Sequence, residues 1–562
     1  MLNTVNQTVR VAETLFEAFE KTAARLPGQI AFKADGGRGR QYTYLESHEI
    51  IKQLANGLGS DALADCSEIG LLAENRPEWC MTYLAITAAG KTVVPIDANL
   101  KPSEMSYVIR HARLKVVFTS GRFHPILSRE HPDTTIYSFD DPHNGWQNLF
   151  SSENPRKDRP ASEVAALIYT SGTTGEPKAV ELTHRNMLAN FEGIRPCLPF
   201  GQNDTFLSVL PLHHTFEATC GFLTPLFSGS TIVYARSLKS KEILEDIAGN
   251  GVTVMCGVPL LYEKMHHSIR RKIQSASLVR RILFEIFFAL SRLGWMMGFK
   301  WGKFLFRGLR RRAQMTRMRM FVSGGAALPP NINRFFNMLG LDLQQGYGMT
   351  ECSPVISVNK PDDSKFASVG PPLHNLEVKI FEPDEKGIGE IIVRGESVTA
   401  GYRGRPKETA ELIRGGWLHT GDLGRLKDGH LWITGRKKNL IVSAAGKNIY
   451  PEQIEEKLLE SAYILETVVF GRRKKDKQGE DICAIIVPDL EQFKVDFGLD
   501  PAKPDMGKVE QVINEEVEKV HRSIADYKRI TDLKIQLEEL EKTSSKKVKR
   551  FVYKQSPDSQ AP

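Results

Sequence analysis

From Tyr44 to about Gly435 the sequence alternates between helical stretches and short apolar runs: SEIGLLAE, KTVVPID, KVVFTS, TIVYA and MRMFVSGG. That alternation argues for α/β layers with largely parallel sheets. Around Leu376 to Tyr402 the texture changes to VKIFEPD, a Gly-rich turn and EIIVRG, an antiparallel β section continued by HLWITG. It changes again after Arg436. A helix begins at PEQIEEKLLE, with proline at its start; two strands follow, TVVFG and ICAIIVP, then a charged helix and a final strand in DLKIQLEEL. The expected fold is α/β: a large N-terminal domain of layered α/β subdomains plus a β section, residues 1–435, and a small α+β domain, residues 436–562. The join at 436–438 reads as a hinge.

One stretch inside the first domain carries chemistry. TSGTTGEPKAVELTH, Thr170 to His184, packs glycines, hydroxyls and a lysine into a short run, as backbones wrapped around phosphate do. It is not the P-loop G-x-x-x-x-G-K-[ST]. Counted from Gly172, the second glycine falls at Gly175, two residues early, and Ala179 rather than Ser or Thr follows Lys178. The flanks VAALIYT and AVELTH both read as strands, whereas a P-loop runs from a strand into a helix.

Charge is concentrated elsewhere. The net charge is +8, but residues 270–312 hold twelve Lys or Arg and one acid, Glu285, so the remainder is close to neutral. Within that segment, LFEIFFALSRLGWMMGFKWGKFLF has no uncharged run near the ~20 residues a transmembrane helix needs. It reads as a basic amphipathic helical pair within an insertion at about 265–315. Three readings stay open: a helical insertion packed on the body, contact with a membrane surface, and an acidic protein partner. Seven scattered cysteines with no C-x-x-C pair or metal-ligand spacing suggest reduced thiols and a cytoplasmic setting, peripheral to the inner membrane surface if the segment binds lipid. The first residues show no apolar signal-peptide core, and no nucleic-acid partner is implied.

Four further stretches fall into order with the Thr170 loop: Pro211–Glu217 (PLHHTFE), Ser323–Ala327 (SGGAA), Gln345–Glu351 (QGYGMTE), and GWLHTGD with TGRKKNLIVSAAGKNIYPEQIE. In this order and spacing the chain resembles the adenylate-forming superfamily, and NRPEW, PLHHTFE and GVPLLYEKM bring it nearest to long-chain fatty acyl-CoA synthetases and acyl-carrier-protein synthetases. The resemblance implies ATP-dependent activation of a long-chain fatty acid to an acyl-adenylate. Transfer to the thiol of coenzyme A, or of the phosphopantetheine of acyl carrier protein, follows, with Mg²⁺ as the metal.

It also implies roles. Thr170, Ser171, Gly172, Thr173, Thr174, Gly175 and Lys178 would wrap the leaving phosphates. Gln345, Gly346, Tyr347 and Gly348 would hold adenine, with Tyr347 stacked on it. Thr350 would contact the α-phosphate and Glu351 would hold Mg²⁺. Gly324, Gly325 and Ala326 would line the adenine and acyl side, His214 and Phe216 would gate the acyl tunnel, Asp422 would accept both ribose hydroxyls, and Arg436 would support the ribose or phosphate. Lys547 would reach carboxylate and α-phosphate during adenylation. The small domain would then swing about Lys438 to present the loop of Gly446, Lys447 and Asn448 for thioester formation. Three positions depart from the family pattern: Ala179 and Lys546 stand where glycine is usual, and Glu181 where an apolar residue is common. His213 reads as structural and Cys352 as a small filler. Amino-acid-activating relatives place an acid in the region of His214, Thr215 and Phe216; none stands there, so an apolar acid fits better. A non-catalytic acyl-binding scaffold is the remaining alternative.

Overall fold

The apolar runs pair as the alternation predicts. In the computed structural model the described residues are 12–143, 145–153, 160, 162–170, 177–443, 446–473, 479–542 and 548–555. They separate into two compact units: Met1–Leu328, Ile332–Val378 and Val393–Leu418 in the first; Pro329–Asn331, Lys379–Ile392 and His419–Pro562 in the second.

The first unit holds two sheets. One runs in the order Thr135–Ser138, Val116–Thr119, Glu68–Leu72, Thr92–Pro95, Val164–Thr170, Lys178–Thr183. Its pairings are parallel except at the edge, where Val164–Thr170 meets Lys178–Thr183 antiparallel. The other has eight strands and is parallel from Ile30–Lys33 through Thr231–Tyr234, Thr205–Ser208, Val254–Gly257 and Met320–Ser323 to Asp342–Gly348. Antiparallel strands Gln41–Thr43 and Val355–Val358 close its two ends. Strands such as Val116–Thr119 and Val254–Gly257 are buried throughout, which is why they read as continuous apolar runs and not as alternating ones.

Helix starts follow local chemistry. Thr43 and Glu46 form a capping box at helix Tyr44–Leu58, and Thr183 with Asn186 forms another at His184–Ile194. A fully buried aromatic group holds the first layer together: Trp79 stacks on Tyr83 at 5.4 Å between centroids, and Phe222 meets both edge-on. Under the basic segment a second core gathers Tyr262, Phe321, Phe335 and Phe336. The Tyr262 hydroxyl donates to the carbonyls of Met255 and Val322, both at 3.1 Å, pinning its helix to two strands.

The basic segment is not a simple helical pair. It comprises helices Pro259–Gln274 and Leu278–Met296 and two short ones, Gly302–Leu305 and Arg307–Arg312. Among the described residues no helix is long and apolar enough to cross a membrane.

The β section is a five-stranded sheet of Leu376–Phe381, Gly389–Gly395, Trp417–Lys427 and Ile413–Arg414, with His430–Arg436 paired antiparallel to Trp417–Lys427. The second unit adds the sheet Ile464–Arg473, Glu480–Pro488 and Asp532–Ile535. Ile454, Leu458, Val509 and Ile513, from helices Pro451–Leu458 and Met506–Ser523, pack with Val469, Ile482 and Ile486. The last strand is shorter than DLKIQLEEL suggested. It stops at Ile535, where the Gln536 side chain turns onto the Glu538 carbonyl at 2.8 Å.

Candidate active site

The Thr170 loop joins two strands, as its flanks indicated. Thr170 and Lys178 face each other across the pair, and the Thr170 hydroxyl donates to the Lys178 carbonyl at 3.4 Å. Ser171, Gly172, Thr173, Thr174 and Gly175 lie outside the described residues. Two of the three departures from the family pattern have local explanations. Ala179 is a buried strand residue opposite Tyr169, a place that does not require glycine. Glu181 receives the Arg403 Nε, and Arg403 Nη1 also reaches Glu68 Oε1 at 2.9 Å, so the acid is tied into an ion-pair cluster.

Lys178 leads to the next motif. Its Nζ stands over the Tyr402 ring, 5.1 Å from the centroid. The Tyr402 hydroxyl donates to Glu351 Oε1 at 2.7 Å. Burial first, then the Glu351 charge, pushes that hydroxyl far above the ordinary tyrosine range, so it remains a donor at any working pH. Thr350 is bonded through its hydroxyl to that of Thr215 at 3.1 Å. Residues from 178, 215, 350–351 and 402 therefore meet in one cluster.

The turn that carries Thr350 and Glu351 is clamped from behind. Asn190 Nδ2 donates to the carbonyls of Cys352 and Val355 at 3.0 and 2.8 Å. Its Oδ1 accepts from Val355 N at 3.2 Å, and Thr219 Oγ1 donates to the Ser353 carbonyl at 3.0 Å. Asn190 sits on the helix that Thr183 caps, so the loop motif, its strand and this clamp are one continuous piece of chain. Gly348 has to be glycine for packing: a Cβ there would lie 1.8 Å from the Pro354 carbonyl oxygen. Gly346 and Tyr347 precede it on the strand, opposite Val358 and Ser357, and Gln345 is buried opposite Ser323. Cys352 is fully buried, which pushes its thiol well above the ordinary range, in keeping with a filler.

PLHHTFE and SGGAA, the stretches expected to line the acyl side, lie against each other. Asn75, from NRPEW, holds the first in place: Nδ2 donates to Ser208 Oγ at 3.1 Å and to the Leu210 carbonyl at 2.6 Å, and Oδ1 accepts from Leu212 N at 3.1 Å. His213 Nε2 lies 3.2 Å from Asp97 Oδ2, and the His213 and His214 ring centroids are 4.0 Å apart. The Phe216 ring lies against Gly324, where a Cβ would come within 2.9 Å of Cζ. Gly325 and Ala326 are exposed just beyond strand Met320–Ser323. Sequence reasoning passed over Glu217. It is 1% exposed, Ser208 donates to its Oε1 at 2.6 Å, and burial pushes its carboxyl up to about 8 against that bond. The residue is neutral near pH 7 and offers no anion to a substrate ammonium.

In the second unit Asp422 and Arg436 are brought together. They face each other on adjacent strands, with Arg436 Nε 2.6 Å from Asp422 Oδ1. Lys438 lies exposed in the turn Lys437–Asn439 that follows. Gly446 has φ +71° between strands Ile441–Val442 and Asn448–Ile449, a conformation that suits glycine. Lys547 and Lys546 lie outside the described residues, but the chain beyond them is anchored. Arg550 grips both Glu455 oxygens at 2.6 and 2.9 Å.

Fold and site together define an AMP-binding enzyme. Residues 19–403 match that family, AMP-binding enzyme, and the chain belongs to it. It is 30% identical over 509 residues to the peroxisomal long chain acyl-CoA synthetase 7 of Arabidopsis thaliana, covering 82% of this chain and 71% of that protein. It is 27% identical over 539 residues to a chloroplastic long-chain-fatty-acid–[acyl-carrier-protein] ligase of the same plant, covering 80% and 72%. The crystal structure of a benzoate CoA ligase from Burkholderia xenovorans superposes with a TM-score of 0.77 at 21% identity, covering 97% of this chain and 100% of that one, a likeness of fold.

Proposed function

We propose that this chain activates a long-chain fatty acid with ATP and passes the acyl group to the thiol of coenzyme A. A carboxylate is a poor electrophile. Attack on the α-phosphorus of ATP expels pyrophosphate and leaves an acyl-adenylate, whose carbonyl the thiol then attacks, releasing AMP. Such chemistry needs alignment and charge neutralisation more than covalent help from the protein. The observation that carries this reading is the cluster of Lys178, Tyr402, Glu351, Thr350 and Thr215, which joins the ends of three separate motifs.

In this reading Lys178 and the 170–175 loop take the β- and γ-phosphates. Thr350 donates to the α-phosphate, and Tyr347 with Gln345, Gly346 and Gly348 forms the adenine side. Asp422 accepts the ribose hydroxyls while Arg436 steadies it. The acid enters between His214, Phe216 and the Gly324–Ala326 turn, held by burial of its chain at about 0.8 kcal/mol per methylene. The hydroxyl and carboxylate oxygens of Thr350 and Glu351 fit a hard divalent cation such as Mg²⁺, which would offset phosphate charge there. Lys547 supplies a positive charge at the reacting phosphorus, and the domain beyond residue 435 turns about 436–438 between the two steps to bring Gly446 forward.

Acyl carrier protein is the second candidate acceptor, favoured by the Arabidopsis carrier-protein ligase and by the basic segment, which suits an acidic protein. The test is incubation with ATP, Mg²⁺ and palmitate, with coenzyme A or acyl carrier protein offered separately. AMP with palmitoyl-CoA is the expected product. A thioester on the carrier protein alone moves the acceptor; ADP in place of AMP overturns the reading altogether.

A further inference from the structure

Helix Leu278–Met296 has two apolar faces and only one is covered. Phe284, Ser291 and Gly294 are buried, and Ser291 Oγ donates to the Met338 carbonyl at 2.7 Å, so that face lies on the core. At about 100° per residue, Val279, Ile282, Leu283, Ile286, Leu290 and Leu293 form a second stripe, about 120° around the helix from the first. These six are between 39% and 66% exposed, and Phe304 on the short helix Gly302–Leu305 is 81% exposed. The stripe runs about 21 Å at 1.5 Å per residue, an extent of aliphatic surface that a protein does not leave in water without a use.

Charge on the segment selects the occupant. Arg280, Arg281 and Arg292 are exposed on the same helix, within the stretch 270–312 that has twelve basic residues and one acid. That acid, Glu285, is itself paired with Arg270 at 3.3 Å. A second copy of the chain would set like charge against like charge. An acidic protein would neutralise the arginines yet leave the aliphatic stripe without an apolar medium. An anionic bilayer satisfies both, offering the stripe an acyl medium and the long arginine side chains headgroup phosphates.

We infer that helix Leu278–Met296 lies in the surface plane of an anionic membrane, its Val279–Leu293 stripe in the acyl region and its arginines at the phosphates. The docking does not depend on catalysis. Its consequence rests on the proposed function: the preceding helix, Pro259–Gln274, starts just after Val258, beside Gly325. One helix length, about 24 Å, thus links the acyl wall to a surface where a long-chain acid dissolves.

The test is sedimentation of the full chain with extruded vesicles of phosphatidylcholine alone or mixed equally with phosphatidylglycerol. The chain should pellet with the mixed vesicles, less so as salt rises, and should stay in solution with phosphatidylcholine. A Leu283→Ser, Ile286→Ser, Leu290→Ser triple variant alters exposed residues only. It should keep its melting temperature and lose about tenfold or more of its vesicle partition. Arg280→Glu, Arg281→Glu, Arg292→Glu should lose a similar share. Arg270 is left unchanged because its guanidinium packs over Phe284, Phe288 and Phe335 at 5.0 to 5.9 Å. The inference fails if the wild type ignores anionic vesicles or if the serine variant pellets as the wild type does. It also fails if the stripe instead drives a dimer in sedimentation velocity, or if the arginine variant loses carrier-protein binding with vesicle binding intact. Vesicle binding without AMP formation would remove the ligase reading and leave the docking standing.

Discussion

Glu217 offers a prediction whose size follows from its surroundings. The side chain is fully enclosed beside Cys220 and Ser208, and its carboxyl stays protonated to about pH 8 where an unfolded glutamate ionises near 4.5. Between those values the folded state holds a proton that the unfolded chain has released. Stability therefore falls as pH rises through that window, by about 1.4 kcal/mol per pH unit, and levels off above it. Glu217→Gln keeps an acceptor for the Ser208 hydroxyl and cannot ionise, so it should remove the slope. From pH 5.5 to 7.5 the wild type should lose about 3 kcal/mol relative to the variant. Thermal melts of both proteins across that range would read this as a gap that widens with pH. Parallel pH profiles would refute the reasoning. They would mean that Glu217 is ionised in the fold and stands as an anion next to His214, Thr215 and Phe216, where a substrate ammonium could meet it. The argument for an apolar acid would lose its footing with it.

Tyr402→Phe keeps a ring for Lys178 and deletes only the bond to Glu351; steady-state kinetics should show adenylation reduced about tenfold to a hundredfold, with more Mg²⁺ needed for half-maximal rate. Gly348→Ala forces a Cβ against the Pro354 carbonyl, so it should cost about 1–3 kcal/mol in a melt and raise the KM for ATP more than that for the acid. Lys547→Ala should cut adenylation about a hundredfold to a thousandfold, yet still form thioester from preformed acyl-adenylate in a stopped assay. Equal loss in both half-reactions, with the fold intact, would contradict its assignment to the first step alone.

Much of this was legible in the chain itself. Val116–Thr119 and Val254–Gly257 are short and buried on both faces, and such strands announce themselves as unbroken apolar runs. The strand flanks of the Thr170 loop separated it from a P-loop for the same reason. What stayed hidden depends on long-range packing. Tyr402 lies 51 positions from Glu351, and no spacing rule links them; only the fold brings the hydroxyl to the carboxylate. Glu217 was visible as a letter in PLHHTFE, but its neutrality comes from enclosure that a sequence does not display. Glu181, out of place by motif, is explained by Arg403, 222 residues on. In the basic segment the periodicity revealed an amphipathic helix. It could not say that Phe284 would find the core and Leu283 would not.

The claim at the centre of this account is that a carboxylate oxygen attacks the α-phosphorus of ATP. It is tested most directly with palmitate labelled with ¹⁸O in both carboxylate positions, supplied with ATP, Mg²⁺ and coenzyme A, and with mass spectrometry of the products. The bond formed in the first step is the bond the thiol leaves attached to AMP in the second. One labelled oxygen should therefore appear in each AMP and one in each thioester, with none in pyrophosphate. Unlabelled AMP, or label in inorganic phosphate alongside ADP, would contradict it.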